Sequence, residues 1–218
     1  MNIFGNCVTS PEHLRSLYRE PSNLVRNKKH PRINERSRAF FANATFCLLA
    51  TTDADGRADV SPRGGPPGFV KVLDDRHLVI PDLSGNNLLD SLGNIAERAS
   101  VGLLVLIPGL DETLRVNGQA TLSIDPSILS LWQGQLRTPK VAIGIAIDEI
   151  FGHCAKAFRR GGVWDHASWI DPIASGVPDV CEAYAESLGG TISAGQLRSA
   201  MEENYAQELA DEREVQRK

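Results

Sequence analysis

The sequence predicts a mainly β, α+β fold: six or seven antiparallel strands forming a small closed barrel, with peripheral helices and a helical C-terminal tail. Between 45 and 150, apolar runs of strand length follow one another across short turns rich in Gly, Pro or Asp. Helical spacing is confined largely to the two ends. No Gly-x-Gly-x-x-Gly follows a strand, which disfavours a parallel dinucleotide-binding sheet.

Taken in order, Pro11 to Tyr18 and Asn34 to Asn43 read as helices, and Thr45 to Thr52 as the first strand. Asp53-Ala54-Asp55-Gly56 is an Asp-Gly hairpin turn. Strands follow over Arg57 to Ser61, Gly68 to Leu73 and His77 to Pro81, the last two joined by the turn Asp74-Asp75-Arg76. Leu88, Leu89, Leu92 and Ile95 space a short helix. Ala99 to Ile107 is an apolar, β-branched central strand, and Glu112 to Ile124 alternates as its partner across Pro108-Gly109. A connecting helix over Asp125 to Trp132 has Asp125 as N-cap and Pro126 at its first position. Lys140 to Ile150 supplies one more buried strand. In the tail, Cys181 to Leu188 and Ala194 to Glu214 read as helices split by Gly189-Gly190. Leu197, Met201, Tyr205 and Leu209 give the last helix a narrow apolar stripe, which must pack on the barrel or on a partner subunit. The organisation is a helical segment over 1–44, a barrel over 45–165 and a helical extension over 166–218.

A chain of 218 residues with 42% hydrophobic content buries a sizeable core. A net charge of −4 argues against a nucleic-acid surface. The basic run from Arg26 to Arg38 has no aromatic ladder for stacking bases, so it reads as a solvated face or one turned to a phosphate-bearing partner. No apolar run reaches membrane-spanning length, and the N-terminus lacks a signal-peptide layout; the expectation is a soluble, cytoplasmic protein without a membrane partner. Cys7, Cys47, Cys154 and Cys181 lie far apart, suggesting neither a zinc site nor a disulfide framework, and no metal is expected.

Two segments carry candidate chemistry. Asp59-Val60-Ser61-Pro62-Arg63-Gly64-Gly65-Pro66-Pro67-Gly68-Phe69 sets an arginine in a Gly/Pro-rich corner, where a guanidinium and free backbone N–H groups suit a phosphate. A plain structural turn is the competing reading. In Ile80-Pro81-Asp82-Leu83-Ser84-Gly85-Asn86-Asn87, Ser84 through Asn87 fall at or just before a helix start, which favours an anion. His153 beside Cys154 is a poor dyad, because neighbours on a strand face opposite sides.

The order and spacing of these segments resemble the split-barrel flavoproteins related to pyridoxamine 5'-phosphate oxidase. Glu112 to Gly118 resembles that family's next strand, and Phe151 to Arg160 with Trp164 resembles the C-terminal signature of one bacterial branch, so the likeness spans roughly 35 to 165. The resemblance implies a split barrel holding flavin mononucleotide (FMN) at a homodimer interface and oxidising or reducing a small organic molecule, but not pyridoxamine phosphate. It assigns Ser61, Arg63, Pro81, Asp82, Ser84, Asn86 and Asn87 around the cofactor, chiefly its phosphate. Thr113 and Arg115, sharing a strand face, fall to the ring edge, and Lys156 and Arg159, three apart on a helix, face an anion together. Lys156 sits among small apolar neighbours in sequence, whereas Arg115 and Arg159 also read as surface ion-pair partners. Leu88 and Gly93 stand where that branch commonly carries basic residues. No residue reads as a general acid or base. The alternative is a non-catalytic carrier of flavin, deazaflavin or haem.

Overall fold

The computed structural model describes residues 3–171, 174–177 and 179–213. Three helices open the chain, α1 (Pro11–Ser16), α2 (Asn23–Arg26) and α3 (Glu35–Asn43), each capped by the side chain before it: Ser10, Ser22 and Asn34. Neither α1 nor α2 buries a residue, whereas α3 seats Phe41 in the core.

The strands are β1 (Phe46–Thr52), β2 (Ala58–Gly64), β3 (Lys71–Val72), β4 (His77–Pro81), β5 (Ser100–Leu106), β6 (Thr113–Ser123) and β7 (Ala142–His153). The first two join through the expected Asp-Gly turn, in which Gly56 takes a φ of 84°. Between β4 and β5 lies α4 (Asp90–Glu97), and between β6 and β7 lie α5 (Pro126–Leu129), capped by Asp125, and a 3₁₀ turn ending at Trp132. After β7 come α6 (Lys156–Arg160), α7 (Val180–Ser187) and α8 (Ala194–Arg213).

All seven strands form one antiparallel sheet in the order β2-β1-β5-β6-β7-β4-β3. The closure that the strand pattern alone suggests does not form; the split barrel that the family resemblance implies does. No ladder joins the edge strands β2 and β3 among the described residues, so the barrel is split rather than closed. The physical reason lies at the edges: β2 contains Pro62, which cannot donate to a ladder on its free side, and β3 is only two residues long. Phe69 and Val70, on the segment from β2 to β3, plug the core from that side at 1% and 3% exposure.

Inward side chains follow the strand period: Cys47 and Leu49, Leu78 and Ile80, Val101, Leu103 and Val105, Leu114 and Val116. On β7 the inward set runs Ile143, Ile145, Ile147 and then Ile150. The jump of three is a β-bulge: Asn117 pairs with Glu149 but Gly118 with Ile147, leaving Asp148 unpaired. A Cβ at Gly118 would fall on the Ala146 carbonyl oxygen, so glycine is required there.

β4 is covered on both faces. Leu78 and Ile80 meet the main core, and Val79 lies with Ala142 and Leu136 beneath Trp132, whose Nε1 donates to the Phe69 carbonyl oxygen at 2.8 Å. In the tail, Cys181 of α7 touches Met201 of α8 (Sγ–Sδ 3.9 Å), and Leu197 is half-buried. The apolar stripe of α8 is covered only in that half: Tyr205 and Leu209 stay 47% and 50% exposed. Residue 214, expected to end this helix, lies outside the described residues.

Trp132→Ala removes a fully buried indole and its hydrogen bond, and is expected to lower unfolding free energy by about 3–5 kcal/mol. Urea denaturation followed by circular dichroism measures it; a loss under ~1 kcal/mol would mean the second core is dispensable.

Candidate functional site

Arg63 is not in a corner. The strand runs past Pro62 to Gly64, and Arg63 pairs with Cys47 across the β1–β2 ladder, so its side chain enters the barrel on the same face as Cys47. The side chain is 20% exposed; Nη1 donates to Asp82 Oδ1 at 2.8 Å, and Nε is buried with no acceptor among the described residues. Asp82 follows β4, so this ion pair spans the split. Burial pushes the Cys47 thiol up to about 12 despite the opposing pull of Arg63, which removes it as a thiolate nucleophile.

A cleft of about 110 Å³ opens beside Arg63, lined by Ser61, Asp82, Asn86, Asn87, Asp90 and Ser91 among others. Ser91 of α4 donates to Ser61 Oγ at 3.0 Å and is also within 3.4 Å of Asp59 Oδ2. The loop over 82–89 differs from the expectation at the helix start. α4 begins at Asp90, and Leu88 and Leu89 are 68% and 57% exposed instead of lying on the buried helix face. Asn87 and Leu89 take left-handed φ values of 58° and 63°, a conformation that strains a bulky residue, and Asn86 Oδ1 accepts from the Leu88 N–H at 3.0 Å. Pro81 is buried in β4 against Ala142 and is not among the residues lining the cleft.

Ser84 donates its backbone N–H to Glu212 Oε1 at 3.0 Å, and the Arg137 N–H donates to the Glu212 carbonyl oxygen at 3.0 Å. The end of α8 thereby covers a second cleft, of about 270 Å³, where Glu208 and Glu212 face Arg137 and Lys140. Spacing could not reveal this contact, because its partners are 128 positions apart.

Thr113 and Arg115 do share a face, but it is the outer face of the sheet. Across the ladder they meet His153 and Phe151. Lys28 Nζ and Lys29 Nζ stand 4.8 Å and 5.1 Å from the Phe151 ring centroid. Arg63 and Arg115 are three ladder steps apart, roughly 14 Å, and on opposite faces, so one chain does not bring them to one small ring.

The C-terminal candidates divide. Lys156 is exposed, contrary to the apolar surroundings its neighbours suggest, since α6 projects beyond the end of β7. Arg159 Nε donates to Asp111 Oδ2 at 2.8 Å, the ion-pair role, and that carboxylate raises its pKa. Trp164 donates from Nε1 to the Leu110 carbonyl oxygen at 3.0 Å and packs near Phe158. Cys154 is exposed beyond the end of β7, and its thiol has no hydrogen bond to His153.

Arg63→Ala leaves Asp82 unpaired at 19% side-chain exposure and is expected to cost about 1–3 kcal/mol of stability. Denaturant titration of Arg63→Ala, Asp82→Ala and the double variant tests this: the double variant should recover part of the loss, and strict additivity would mean the pair is uncoupled.

The family model described as pyridoxamine 5'-phosphate oxidase matches residues 33–154, more than half of the chain. No curated protein sequence matches it. Among solved structures, a putative pyridoxamine 5'-phosphate oxidase from Lactobacillus delbrueckii is 25% identical, over 57% of this chain and 98% of its own, with a TM-score of 0.43. HupZ of Group A Streptococcus is 18% identical, over 55% of this chain and 93% of its own, with a TM-score of 0.46. An F420 reductase is 19% identical, over 54% and 98%, at 0.39. No helix of the described residues is long and apolar enough to cross a membrane. With the split seven-stranded sheet running through the matched residues, the chain belongs to the pyridoxamine 5'-phosphate oxidase family.

Proposed function

We propose that the chain is an FMN-binding oxidoreductase acting on a small organic molecule, with the flavin held between two copies of the chain. Family members often bind flavins. The observation that carries the reading is Arg63 Nε, a buried cationic N–H without an acceptor, on a guanidinium lining the cleft of Ser61, Asn86 and Asn87. An orphaned charged donor of this kind fits a phosphate oxygen. Asp82 occupies Nη1 alone, which orients the guanidinium and leaves its remaining donors to the ligand.

The fit is to the phosphate end only. Thr113 and Arg115 lie on the other face, so in this reading the ring of a flavin bound at Arg63 meets those two residues, and Lys156, from the second copy. A bound flavin supplies the hydride or electron transfer, and the chain supplies binding and orientation. Glu212 opposes binding, because its carboxylate already holds the Ser84 N–H that an anion would use.

The visible spectrum of the full chain, taken after adding excess FMN and desalting, tests this. A retained, protein-shifted flavin band is expected. Arg63→Ala should weaken FMN binding about tenfold or more, from the loss of a charged hydrogen bond, and Glu212→Gln should tighten it. A colourless eluate, or unchanged affinity in folded Arg63→Ala, would overturn the phosphate assignment. Sustained consumption of a reduced nicotinamide is expected of the enzyme; reduction that stops after one equivalent of flavin would replace it with the carrier reading.

A further inference from the structure

On the outer face of the β6–β7 ladder, basic side chains converge on one ring. Lys28, Lys29 and the Arg115 guanidinium, 5.7 Å from the ring centroid, surround Phe151, which is only 4% exposed. His153 lies two residues further along that face. The lysines are held there by the backbone: His30 N–H donates to the Ile150 carbonyl oxygen at 3.2 Å, and Ile150 N–H to that of His30 at 2.7 Å. This accounts for part of the basic run singled out in the sequence.

The cluster's carboxylate is already engaged. Glu149 accepts from Lys29 at 3.0 Å and from Asn117 Nδ2 at 2.7 Å, and these bonds hold its carboxyl below the usual range. Among the described residues, Lys28 reaches only the Gly152 carbonyl oxygen as an acceptor, at 3.4 Å. The Arg115 side chain has no hydrogen-bonded acceptor among the described residues, and His153 Nδ1 is buried without a partner. Burial, and then Arg115 and Lys28, lower the His153 pKa from its ordinary value and so favour the neutral ring. The face is therefore locally positive on a chain whose net charge is −4.

We propose that Lys28, Arg115 and His153 form an anion-binding site on this face, which takes the carboxylate or phosphate group of a small organic ligand. The guanidinium offers a planar fork of donors, the ammonium a point charge, and the imidazole a ring N–H. Stacking on Phe151 compensates only part of the repulsion among the cations, and a bound oxyanion relieves the rest. Lys29, paired with Glu149, fixes the segment in place. The site needs no flavin. If both readings hold, the substrate met on this face is itself an anion.

The linkage has a definite sign. An anion stabilises the imidazolium, so binding raises the His153 pKa, and affinity increases as pH falls through it. The test uses full-chain protein labelled with ¹⁵N-histidine, free of flavin, titrated with inorganic phosphate and separately with succinate at constant ionic strength. Saturable shifts of the His153 resonance and a raised pKa are expected with at least one of the two, and which one saturates identifies the group. Arg115→Gln and Lys28→Ala should each weaken binding about tenfold, from the lost charge-assisted contact, and Arg36→Ala on α3 should not. Linear, unsaturated shifts with both anions, or undiminished affinity in folded Arg115→Gln and Lys28→Ala, would overturn the site. Because no flavin is present, this failure is distinct from failure of the FMN reading.

Discussion

The phase of the β6–β7 ladder is the constraint on which the outer face depends. Strand side chains alternate, so a single added residue sends every later one to the opposite face. Asp148 is that residue. It keeps Ile150 in the core after Ile147 and turns Glu149, Phe151 and His153 outward, into line with Asn117, Arg115 and Thr113. Without the bulge, Ile150 would face outward and the cationic cluster could not form around Phe151. Gly118 permits the close approach by offering no Cβ to the Ala146 carbonyl.

The inner face depends on the missing ladder between β2 and β3. Where backbone pairing stops, a charged pair crosses instead, Arg63 on one side of the split and Asp82 on the other. A half-buried pair of this kind adds little net stability, since desolvation offsets most of its attraction. Its consequence is positional: it holds a guanidinium at the rim of a cleft with one donor unmet. The second donor in that region, the Ser84 N–H, is held by Glu212 from the C-terminal helix. The guanidinium and the N–H on this side are thus already in contact with carboxylates of the chain itself.

Much was legible in order and period. The hairpin at Asp53 to Gly56, the strand His77 to Pro81, the cap at Asp125, and the shared face of Thr113 and Arg115 all follow from local rules of turn chemistry, capping and alternation. The family likeness was legible too, because it rests on segments in fixed order. Local rules misjudged Arg63, since Pro62 and Gly64 resemble a corner although an edge strand tolerates both. They also misjudged Leu88 and Leu89, whose helical spacing is overridden by a left-handed turn at Leu89.

By itself the sequence determined the central strands, the hairpin turns and the family, because these depend on neighbours within a few positions or on segments in fixed order. Only the tertiary structure decided that Arg63 finds Asp82, that Glu212 covers Ser84, and that Lys28, Lys29 and Arg115 gather around Phe151. Those contacts join residues far apart in the chain, and no local propensity specifies them. Their physical cause is the ladder register, which sets the face each side chain occupies and hence which charges can meet.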